Sequence, residues 1–439
     1  MNQVRIPKRL TTALIHSLSA GVVPRIGLEH VAVGRKQEIE TLLADLENVA
    51  EGGAFFRFLV GRYGSGKSFL LQVIRNYAME RDFVVADADL SSERRLVGGK
   101  GQGLAVYREL MNNLSTKTRP DGGAVPAILE RWISMILARV AKETGLRPAD
   151  SGFTEAVELK ILETVNGIEG MVHGFDFARA VIGYWNGYRE ADDAGKGAAL
   201  RWLRGEFATK TEAKAFLNVQ MIIGDDNWYD FIKLMAAFVS HIGYKGLIVF
   251  IDEGVILYKI TNAVARQANY EKLLTMFNDT MQGKARNLGI LLGGTPQFVE
   301  DPRRGLYSYE ALRSRLAAGR FAGDRRDLAG PVIRLQTLTH EEIFVLLRRL
   351  VQVHGSHYAY EPQVSQADML EFMEEVAGRV GAEELLTPRE VVRDFISLLN
   401  IIHQNPGLTF GQALRGQDFR ISAADRGPEE GNDFAEFTL

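Results

Sequence analysis

The sequence predicts an α/β fold, in which a parallel β-sheet lies between helical layers, with a large helical insertion and a helical C-terminal domain. The prediction rests on three features. Short apolar runs of the kind that form buried parallel strands recur along the chain. Stretches with apolar residues at helical spacing separate these runs. A glycine-rich loop joins the first run to a helical stretch and a second run, which indicates a βαβ unit.

The composition is that of a folded protein with a full core, and it excludes several classes of site. Hydrophobic residues make up 46% and charged residues 24% of the 439 residues. A net charge of −3 argues against a uniformly basic nucleic-acid coat. The chain has no cysteine, which excludes disulfides, thiolate metal sites and a cysteine nucleophile. Since no apolar run approaches the roughly 18–20 residues of a membrane span, and no signal peptide is evident, we expect a cytoplasmic protein without membrane association.

Five apolar runs are predicted strands, and the regions between them define the expected domains. The runs cover residues 55–60, 83–86, 247–251, 289–294 and 332–335. We expect an N-terminal arm at 1–30, a sheet-containing core at 31–89 and 236–336, a helical insertion at 90–235, a helical lid domain at 337–422 and an acidic, disordered tail at 423–439. Thr339 and Glu342 are expected to form a capping box at the first helix of the lid.

The loop after the first predicted strand carries the most specific motif. Its residues Gly61-Arg62-Tyr63-Gly64-Ser65-Gly66-Lys67-Ser68 match G-x-x-x-x-G-K-[ST], the phosphate-binding loop (P-loop) of nucleoside triphosphatases. The glycines let backbone amides turn toward phosphate oxygens, and the following helix adds its positive end. We expect Lys67 to reach the β- and γ-phosphates of ATP, Ser68 to bind Mg²⁺, and Phe69 to complete the nucleotide contacts. A chance glycine-rich turn is disfavoured because a strand precedes the loop and a helix follows it.

A second half of the site follows the third predicted strand, which ends in Asp252-Glu253. We expect Asp252 at the carboxyl edge of the sheet, on a strand neighbouring the P-loop strand, where it holds Mg²⁺ through water. Glu253 is expected to polarise the attacking water as a general base. The alternative is a strand that ends in a solvated turn, which is common for this pattern in isolation.

Thr295 follows the fourth predicted strand, which is expected to lie beside the strand that ends at Asp252. A hydroxyl there could hydrogen-bond the attacking water or the γ-phosphate. The alternative is a simple turn residue.

The segment 301–326 is rich in arginine, whose planar guanidinium suits the phosphate oxygens of a transition state. The seven arginines are Arg303, Arg304, Arg313, Arg315, Arg320, Arg325 and Arg326. Arg315, and after it Arg313, is the expected arginine finger that one subunit presents to the ATP of its neighbour. The alternatives are a solvated basic face, an ion-pair network, or contact with DNA phosphates.

Two outlying positions are also expected near the nucleotide. Arg389 lies in the first turn of the helix that Thr387 opens, where it could move onto the γ-phosphate and couple the lid to the nucleotide state. The alternative is a surface arginine paired within its helix. Gly34 and Arg35 precede a helix and are expected to line the adenine pocket, unless they form an ordinary loop.

Other site chemistries have little support. The chain has no H-E-x-x-H motif, and its eight histidines are scattered along the sequence. The four tryptophans lie within helical patterns and are more typical of a core than of a base-stacking surface. They are Trp132, Trp185, Trp202 and Trp228.

Taken in order, these motifs resemble the initiator-type branch of AAA+ ATPases, similar to Orc/Cdc6 and transposition ATPases. More closely, the chain resembles the ATP-binding protein family of BREX phage-defence systems (BrxD-like). The stretches that carry this resemblance are Pro24–Leu28, Leu96–Gly103 with Tyr107–Leu110, and Trp202–Glu206. The resemblance implies an AAA+ core, a homo-oligomer, and work alongside methyltransferase, phosphatase-like or helicase partners. The helical insertion separates the two halves of the site unusually far, and we expect no winged-helix domain, which argues against autonomous sequence-specific DNA binding.

The sequence therefore predicts an ATP-hydrolysing AAA+ ATPase, an oligomeric switch or motor in phage defence that acts on DNA or on a DNA-bound complex. The alternative is an assembly module that uses ATP with little hydrolysis and recruits partner proteins through its helical insertion. A third interpretation, a signalling ATPase of the STAND type, requires an appended effector or repeat domain that is not evident.

Overall fold

The computed structural model describes residues 6–167, 173–317, 327–380 and 387–416, which form a mixed α/β protein. The tail predicted at 423–439 lies outside the described residues, as do Arg320, Arg325 and Arg326 of the arginine-rich segment.

The described strands form one parallel sheet of five strands in the order β2-β3-β4-β1-β5. They are β1 (Ala54–Val60), β2 (Val84–Asp89), β3 (Leu247–Asp252), β4 (Leu288–Gly294) and β5 (Val332–Arg334). All five coincide with apolar runs predicted from the sequence. β4 is buried along its whole length, as expected for a central strand of a parallel sheet.

The position of β4 corrects one prediction. β3 and β4 are neighbours, as expected, but β4 also pairs with β1, so the strand that ends at Asp252 is not adjacent to the strand that enters the P-loop. Gly289 of β4 is compatible with this central position. A β-carbon there would lie 2.5 Å from the ring of Phe55 in β1 and 2.8 Å from Ile248 in β3. Because Gly289 has no side chain, the large residues of both flanking strands pack over β4.

Helices make up most of the rest of the described chain. In the N-terminal half they are α1 (Lys8–Ser19), α2 (Lys36–Ala50), α3 (Lys67–Glu80), α4 (Gln102–Asn112), α5 (Val125–Thr144), α6 (Phe153–Asn166), α7 (Gly174–Arg189), α8 (Asp193–Leu203) and α9 (Lys210–Leu217). In the C-terminal half they are α10 (Trp228–His241), α11 (Val255–Tyr258), α12 (Ala263–Met281), α13 (Pro296–Glu300), α14 (Glu310–Leu316), α15 (His340–Tyr358), α16 (Gln366–Val380), α17 (Pro388–Gln404) and α18 (Phe410–Arg415). Short 3-10 turns lie at Leu28–His30 and Leu306–Ser308.

Helices α4 to α10 lie between β2 and β3, and α10 continues past residue 235, where the predicted helical insertion ends. α9 was not predicted, because its eight residues are too few to show a periodic pattern. Its start is fixed by Thr209, whose hydroxyl accepts a hydrogen bond from the N–H of Glu212 at 3.2 Å. α10 is buried along most of its length and contacts β3 and β4, which anchors the insertion to the sheet.

The chain divides into two compact units, each with its own hydrophobic core. The first unit comprises residues 1–36, 62–72 and 335–439, and the second comprises residues 37–61 and 73–334. The core of the first unit is formed by α1 and α15 to α18. The core of the second unit includes all four tryptophans, each at most 6% exposed, which confirms their interpretation as core residues. Within the described ranges, no helix combines the length and apolar character needed to cross a membrane.

Candidate nucleotide-binding site

The P-loop departs from the carboxyl end of β1. Val60, the last residue of β1, is level with Gly294 at the end of β4. The next residue, Gly61, is buried and donates its N–H to the carbonyl oxygen of Gly294 at 3.2 Å. The sheet therefore fixes the residue from which the loop starts.

The loop has a backbone that its glycines allow. Gly64 has φ +76° and Gly66 has φ +91°, in the left-handed region where a β-carbon is strained. α3 begins at Lys67, and the first four N–H groups of a helix have no acceptor within the helix. Ser68 is exposed in the first turn, and Phe69 packs against the core of the first unit. These features suit an anionic ligand at the start of α3.

Hydrogen bonds to the carbonyl oxygen of Arg62 close the loop. This oxygen accepts from the N–H of Ser65 at 3.2 Å and from Nζ of Lys67 at 2.9 Å. The ammonium group of Lys67 therefore lies over the loop. The hydroxyl of Ser65 is buried and has no hydrogen-bond partner among the described residues.

Arg35 contacts the P-loop, but through the loop backbone. The residue is buried, and its Nη2 donates to the carbonyl oxygens of Ser65 at 3.1 Å and of Gln336 at 2.8 Å. Gly34 has φ +73°, and a β-carbon there would lie 2.6 Å from the carboxyl group of Glu342. A role of Gly34 and Arg35 at the adenine base remains a prediction. The bond from Arg35 to the loop was not predicted, because the sequence gives no sign of which carbonyl a distant arginine will reach.

The start of α17 also contacts the P-loop. A β-carbon at Gly64 would lie 2.7 Å from Cβ and Oγ1 of Thr387, which caps α17 in a capping box with Glu390. Arg389 donates to the hydroxyl of Tyr63 at 3.0 Å, and its guanidinium lies 5.0 Å from the centre of the Tyr63 ring. Arg389 is thus paired with the P-loop, and its movement onto the γ-phosphate remains a prediction.

Asp252 and Glu253 lie where β3 ends, at the carboxyl edge of the sheet. Oδ1 of Asp252 accepts from the N–H of Glu253 at 2.8 Å, and the N–H of Gly254 donates to the carbonyl of Gly293 in β4 at 2.8 Å. Glu253 has φ +59°, which is uncommon for a residue other than glycine. Strain of this kind is found most often at functional sites. The turn leaves the side chain of Glu253 exposed at the end of a buried strand.

Asp89 is a third carboxylate at this edge, and the sequence did not single it out. The predicted apolar run stops at Ala86, whereas β2 continues to Asp89, which is level with Asp252. Although Asp89 is exposed as a residue, desolvation of its carboxyl group by surrounding protein atoms raises its pKa, and repulsion from Asp252 and Glu253 raises it further. Three carboxyl groups therefore lie near one another at this edge, and a cation placed there would favour their charged forms.

Thr295 follows β4, between the ends of β1 and β3. Its Oγ1 accepts from the N–H of Phe298 at 3.3 Å and so caps the short helix α13. A β-carbon at Gly294 would lie 2.5 Å from the ring of Phe298, so glycine is needed before the turn. This bond uses a lone pair of the hydroxyl and leaves its hydrogen for a further acceptor.

The described arginines of the 301–326 segment have different environments. Arg304 donates to the main-chain carbonyls of residues 258–260 at 2.9 to 3.3 Å, which makes it a structural residue. Arg313 and Arg315 are both exposed on α14. Arg315 donates to Oδ1 of Asn278 at 3.0 Å and to the carbonyl of its own helix residue Ala311 at 2.6 Å. The choice of Arg315 as the finger remains a prediction.

Across the described part of the chain, no group of three or more histidine, aspartate or glutamate side chains is placed to hold a metal ion. A metal ion at the candidate site would therefore need ligands beyond the protein. Mg²⁺ fits this condition, since it commonly takes one or two protein oxygens and fills its other positions with water and phosphate oxygens. Ser68 of the first unit and Asp252 of the second each carry an oxygen of this kind, and their joint use by one Mg²⁺ remains a prediction. Within the first unit, the glycine conformations, helix amides and ammonium group of the loop fit a triphosphate.

Two of the stretches that carry the family resemblance meet in the second unit. The hydroxyl of Tyr107 donates to the carbonyl of Leu203 at 2.7 Å, and Nε of Arg108 donates to the carbonyl of Gly205 at 2.8 Å. These bonds join α4 to the turn after α8, so both stretches help to build the insertion.

A comparison with protein families matches most of the chain. A model described as BREX system ATP-binding protein BrxC/D matches residues 6–418, which include the P-loop, the sheet edge and the whole insertion. None of the curated proteins matches the chain.

Proposed function

The chain belongs to the BREX system ATP-binding protein BrxC/D family, and we propose that it hydrolyses the ATP that it binds. Membership confirms the BREX resemblance seen in the sequence, with ATP as the ligand and a role in BREX defence. The initiator-type AAA+ subtype, and with it the AAA+ layout of the core, remains part of the proposal.

The observation that supports hydrolysis best is the order in which three strands, each followed by predicted site residues, lie along the carboxyl edge of the sheet. β1, β4 and β3 are parallel neighbours that end, respectively, at the P-loop, at Thr295 and at Asp252-Glu253. With about 4.8 Å between adjacent strands, the ends of β1 and β3 are about 10 Å apart. A separation of this size leaves room for a hydrated Mg²⁺ and a phosphate group.

In the proposed reaction, water attacks the γ-phosphorus of ATP, and the bond to the β–γ bridging oxygen breaks to give ADP and phosphate. Glu253 orients this water and accepts its proton. Lys67 and the loop amides bind the β- and γ-phosphate oxygens, and the hydroxyl of Thr295 donates its hydrogen to the water or the γ-phosphate. Asp252 and Ser68 would hold Mg²⁺, which when bound neutralises charge on the phosphates.

We further propose that the protein works as an oligomer, as a nucleotide-driven switch or motor on DNA or a DNA-bound complex. The exposed Arg313 and Arg315 support this, since they are available to a neighbouring subunit. Arg389 would act on the γ-phosphate of its own subunit. The alternative is an assembly module that binds ATP, hydrolyses little and recruits other defence proteins through its insertion.

Replacement of Glu253 by glutamine tests hydrolysis. Because the amide cannot accept the proton, we expect Glu253→Gln to lower turnover about 100-fold or more while ATP still binds. Steady-state phosphate release and binding of a fluorescent ATP analogue, each with and without duplex DNA, measure the two effects.

Glu271→Gln is a matched control, since Glu271 is an exposed glutamate of α12 that pairs with Gln267 at 3.0 Å. We expect it to behave as the wild type. Turnover by Glu253→Gln at the wild-type rate would contradict the role of Glu253. Absence of turnover by the wild type under every condition would favour the assembly module.

A further inference from the structure

We propose that Arg35 is a positioning residue for the P-loop: it holds the Ser65–Gly66 peptide so that the N–H of Gly66 faces the bound phosphate. The proposal rests on ATP binding at the P-loop and does not require hydrolysis. It gives Arg35 a role in recognition of the polyphosphate, in place of the expected contact with adenine.

The contact is buried and joins distant parts of the first unit. Arg35 is 7% exposed, and a single nitrogen, Nη2, donates to the carbonyl oxygens of Ser65 and Gln336 at 3.1 and 2.8 Å. Ser65 follows 30 positions later in the sequence and Gln336 301 positions later. Gln336 lies just after β5, so the guanidinium ties the P-loop to the segment that leaves that strand.

The geometry of the peptide bond turns this contact into a constraint on the phosphate site. The Ser65–Gly66 peptide is trans, and in a trans peptide the C=O and N–H groups point in opposite directions. When the carbonyl of Ser65 faces Arg35, the N–H of Gly66 must face away from it. In a P-loop, that amide direction is the one that a phosphate oxygen needs.

The flanking residues make a tether necessary. Gly64 and Gly66 stand on either side of Ser65, and both have positive φ angles, +76° and +91°. Glycine has access to many backbone conformations, so peptides beside it rotate at low cost. A rotated Ser65–Gly66 peptide would present its carbonyl oxygen to the phosphate, and the two would repel each other.

The chemistry of arginine suits this task better than that of lysine. A guanidinium stays charged at any working pH and offers several N–H donors in a fixed plane, whereas an ammonium is a compact point charge on a flexible stem. The charge on Arg35 also polarises the bound peptide, and hydrogen bonds in series strengthen one another. Arg35 therefore both orients the amide of Gly66 and makes it a stronger donor.

Inorganic tripolyphosphate separates this role from an adenine contact, because it has the phosphates of ATP without the base. We expect Arg35→Lys and Arg35→Gln to weaken the binding of ATP and of tripolyphosphate by the same factor, about tenfold or more, equivalent to ~1.4 kcal/mol. Competition against a fluorescent ATP analogue measures both affinities. Weaker binding of ATP with unchanged tripolyphosphate affinity would overturn the proposal, as would unchanged affinity for both.

Arg266→Lys is the matched control. In the second unit, Nη1 of Arg266 also donates to two main-chain carbonyls, of Ile260 at 2.7 Å and Thr261 at 3.4 Å. We expect this variant to bind both ligands as the wild type does. Thermal unfolding of each variant identifies a temperature at which it is folded, and binding is measured at that temperature. If Arg35→Gln does not fold, Arg35→Lys, which keeps the charge, provides the test.

The readout is binding, so it distinguishes failure of this proposal from failure of the proposed hydrolysis. A chain that binds ATP without turnover still shows whether Arg35 acts on the phosphates. Equal losses for ATP and tripolyphosphate, with Arg266→Lys unchanged, support the positioning role whether or not phosphate is released.

Discussion

Residues outside the P-loop motif determine the environment of the P-loop. Arg35 holds the carbonyl of Ser65, and Arg389 lies against Tyr63, a position that the motif leaves free. Both contacts fall within the first unit. The motif alone therefore does not describe all the contacts of the loop, since two arginines distant in sequence also bond to it.

Arg389 is predicted to act on the γ-phosphate in addition to its bond with Tyr63. If so, Arg389→Ala removes a charge that stabilises the transition state, and turnover falls about 100-fold. Tyr63→Phe removes only the accepting hydroxyl and keeps the ring, so its turnover should stay close to that of the wild type. Steady-state kinetics of both variants, separating kcat from the KM for ATP, tests this difference. Small and equal effects of the two changes would show that Arg389 only fastens Tyr63.

Gly64 is predicted to tolerate no side chain. Its φ of +76° strains any other residue, and a β-carbon would lie 2.7 Å from Thr387. We expect Gly64→Ala to lose ATP binding, because either the loop or the start of α17 must move. Gly99→Ala is the control, since a β-carbon there meets nothing within 4 Å. Wild-type affinity of Gly64→Ala for a fluorescent ATP analogue would show that the contact has no role in binding.

Local patterns predicted the strands and caps, whereas contacts between distant segments escaped prediction. The five apolar runs and the capping box of Thr339 and Glu342 depend on nearby residues, and the structure contains them. The order of the strands depends on contacts between strands that are distant in sequence, such as the packing of Phe55 and Ile248 over Gly289. Asp89 was missed because the polar residues of 87–89 looked like the end of the strand. The contact of Arg35 joins segments whose proximity only the fold creates.

Helices α1, α15 and α17 meet at a group of histidine and tyrosine rings in the first unit. His354 of α15 is fully buried at its centre. Its Nε2 lies 3.1 Å from Oδ1 of Asn400, and its Nδ1 lies 2.9 Å from the hydroxyl oxygen of Tyr360. His403 of α17 faces the same ring at 5.9 Å, and His357 lies one turn along α15. Protonation of His354 would place a charge in this buried group.

The first unit is predicted to lose stability in acid. Burial lowers the pKa of His354 from 6.5 to about 4, with the bond to Asn400 opposing the shift and the neighbouring His403 and His357 adding to it. Because the folded pKa is below the unfolded value, the unfolded chain binds the proton more readily. The contribution of neutral His354 is therefore complete above pH 6.5 and is lost as the pH falls toward 4. The loss amounts to about 3 kcal/mol.

Thermal unfolding across this pH range measures the effect. His354→Gln should have a lower midpoint temperature of unfolding at neutral pH. That temperature should also vary less with pH, because the buried proton acceptor is gone. His340→Gln, at an exposed histidine, should follow the wild type. A wild-type midpoint that does not change between pH 6.5 and 4 would contradict the assignment.

Two exposed arginines, Arg313 and Arg315, lie on α14 of the second compact unit, while the P-loop belongs to the first. Arg304 is occupied by main-chain carbonyls within its own unit, which argues against its action on a second subunit. Arg313 and Arg315 stay the predicted candidates. Arg315 must first release Asn278 and Ala311. Its use as a finger would therefore cost those hydrogen bonds, whereas Arg313 has no such bonds among the described residues.

Complementation between two inactive variants tests the oligomer and the finger together. The first variant, Glu253→Gln, keeps both Arg313 and Arg315. The second variant carries both Arg313→Ala and Arg315→Ala and keeps Glu253. If the arginine acts on the ATP of its neighbour, roughly a quarter of the interfaces in an equal mixture regain both groups. The mixture should then recover turnover that neither variant has alone. Variants with only one of the two arginines replaced show which arginine is needed.

Arg303→Ala, at an exposed arginine of the same segment, is the control and should keep wild-type turnover. The particle with an ATP analogue should have a mass of at least two chains, each of 48.8 kDa. A mass of one chain, with no recovery on mixing, would mean that no arginine acts between subunits.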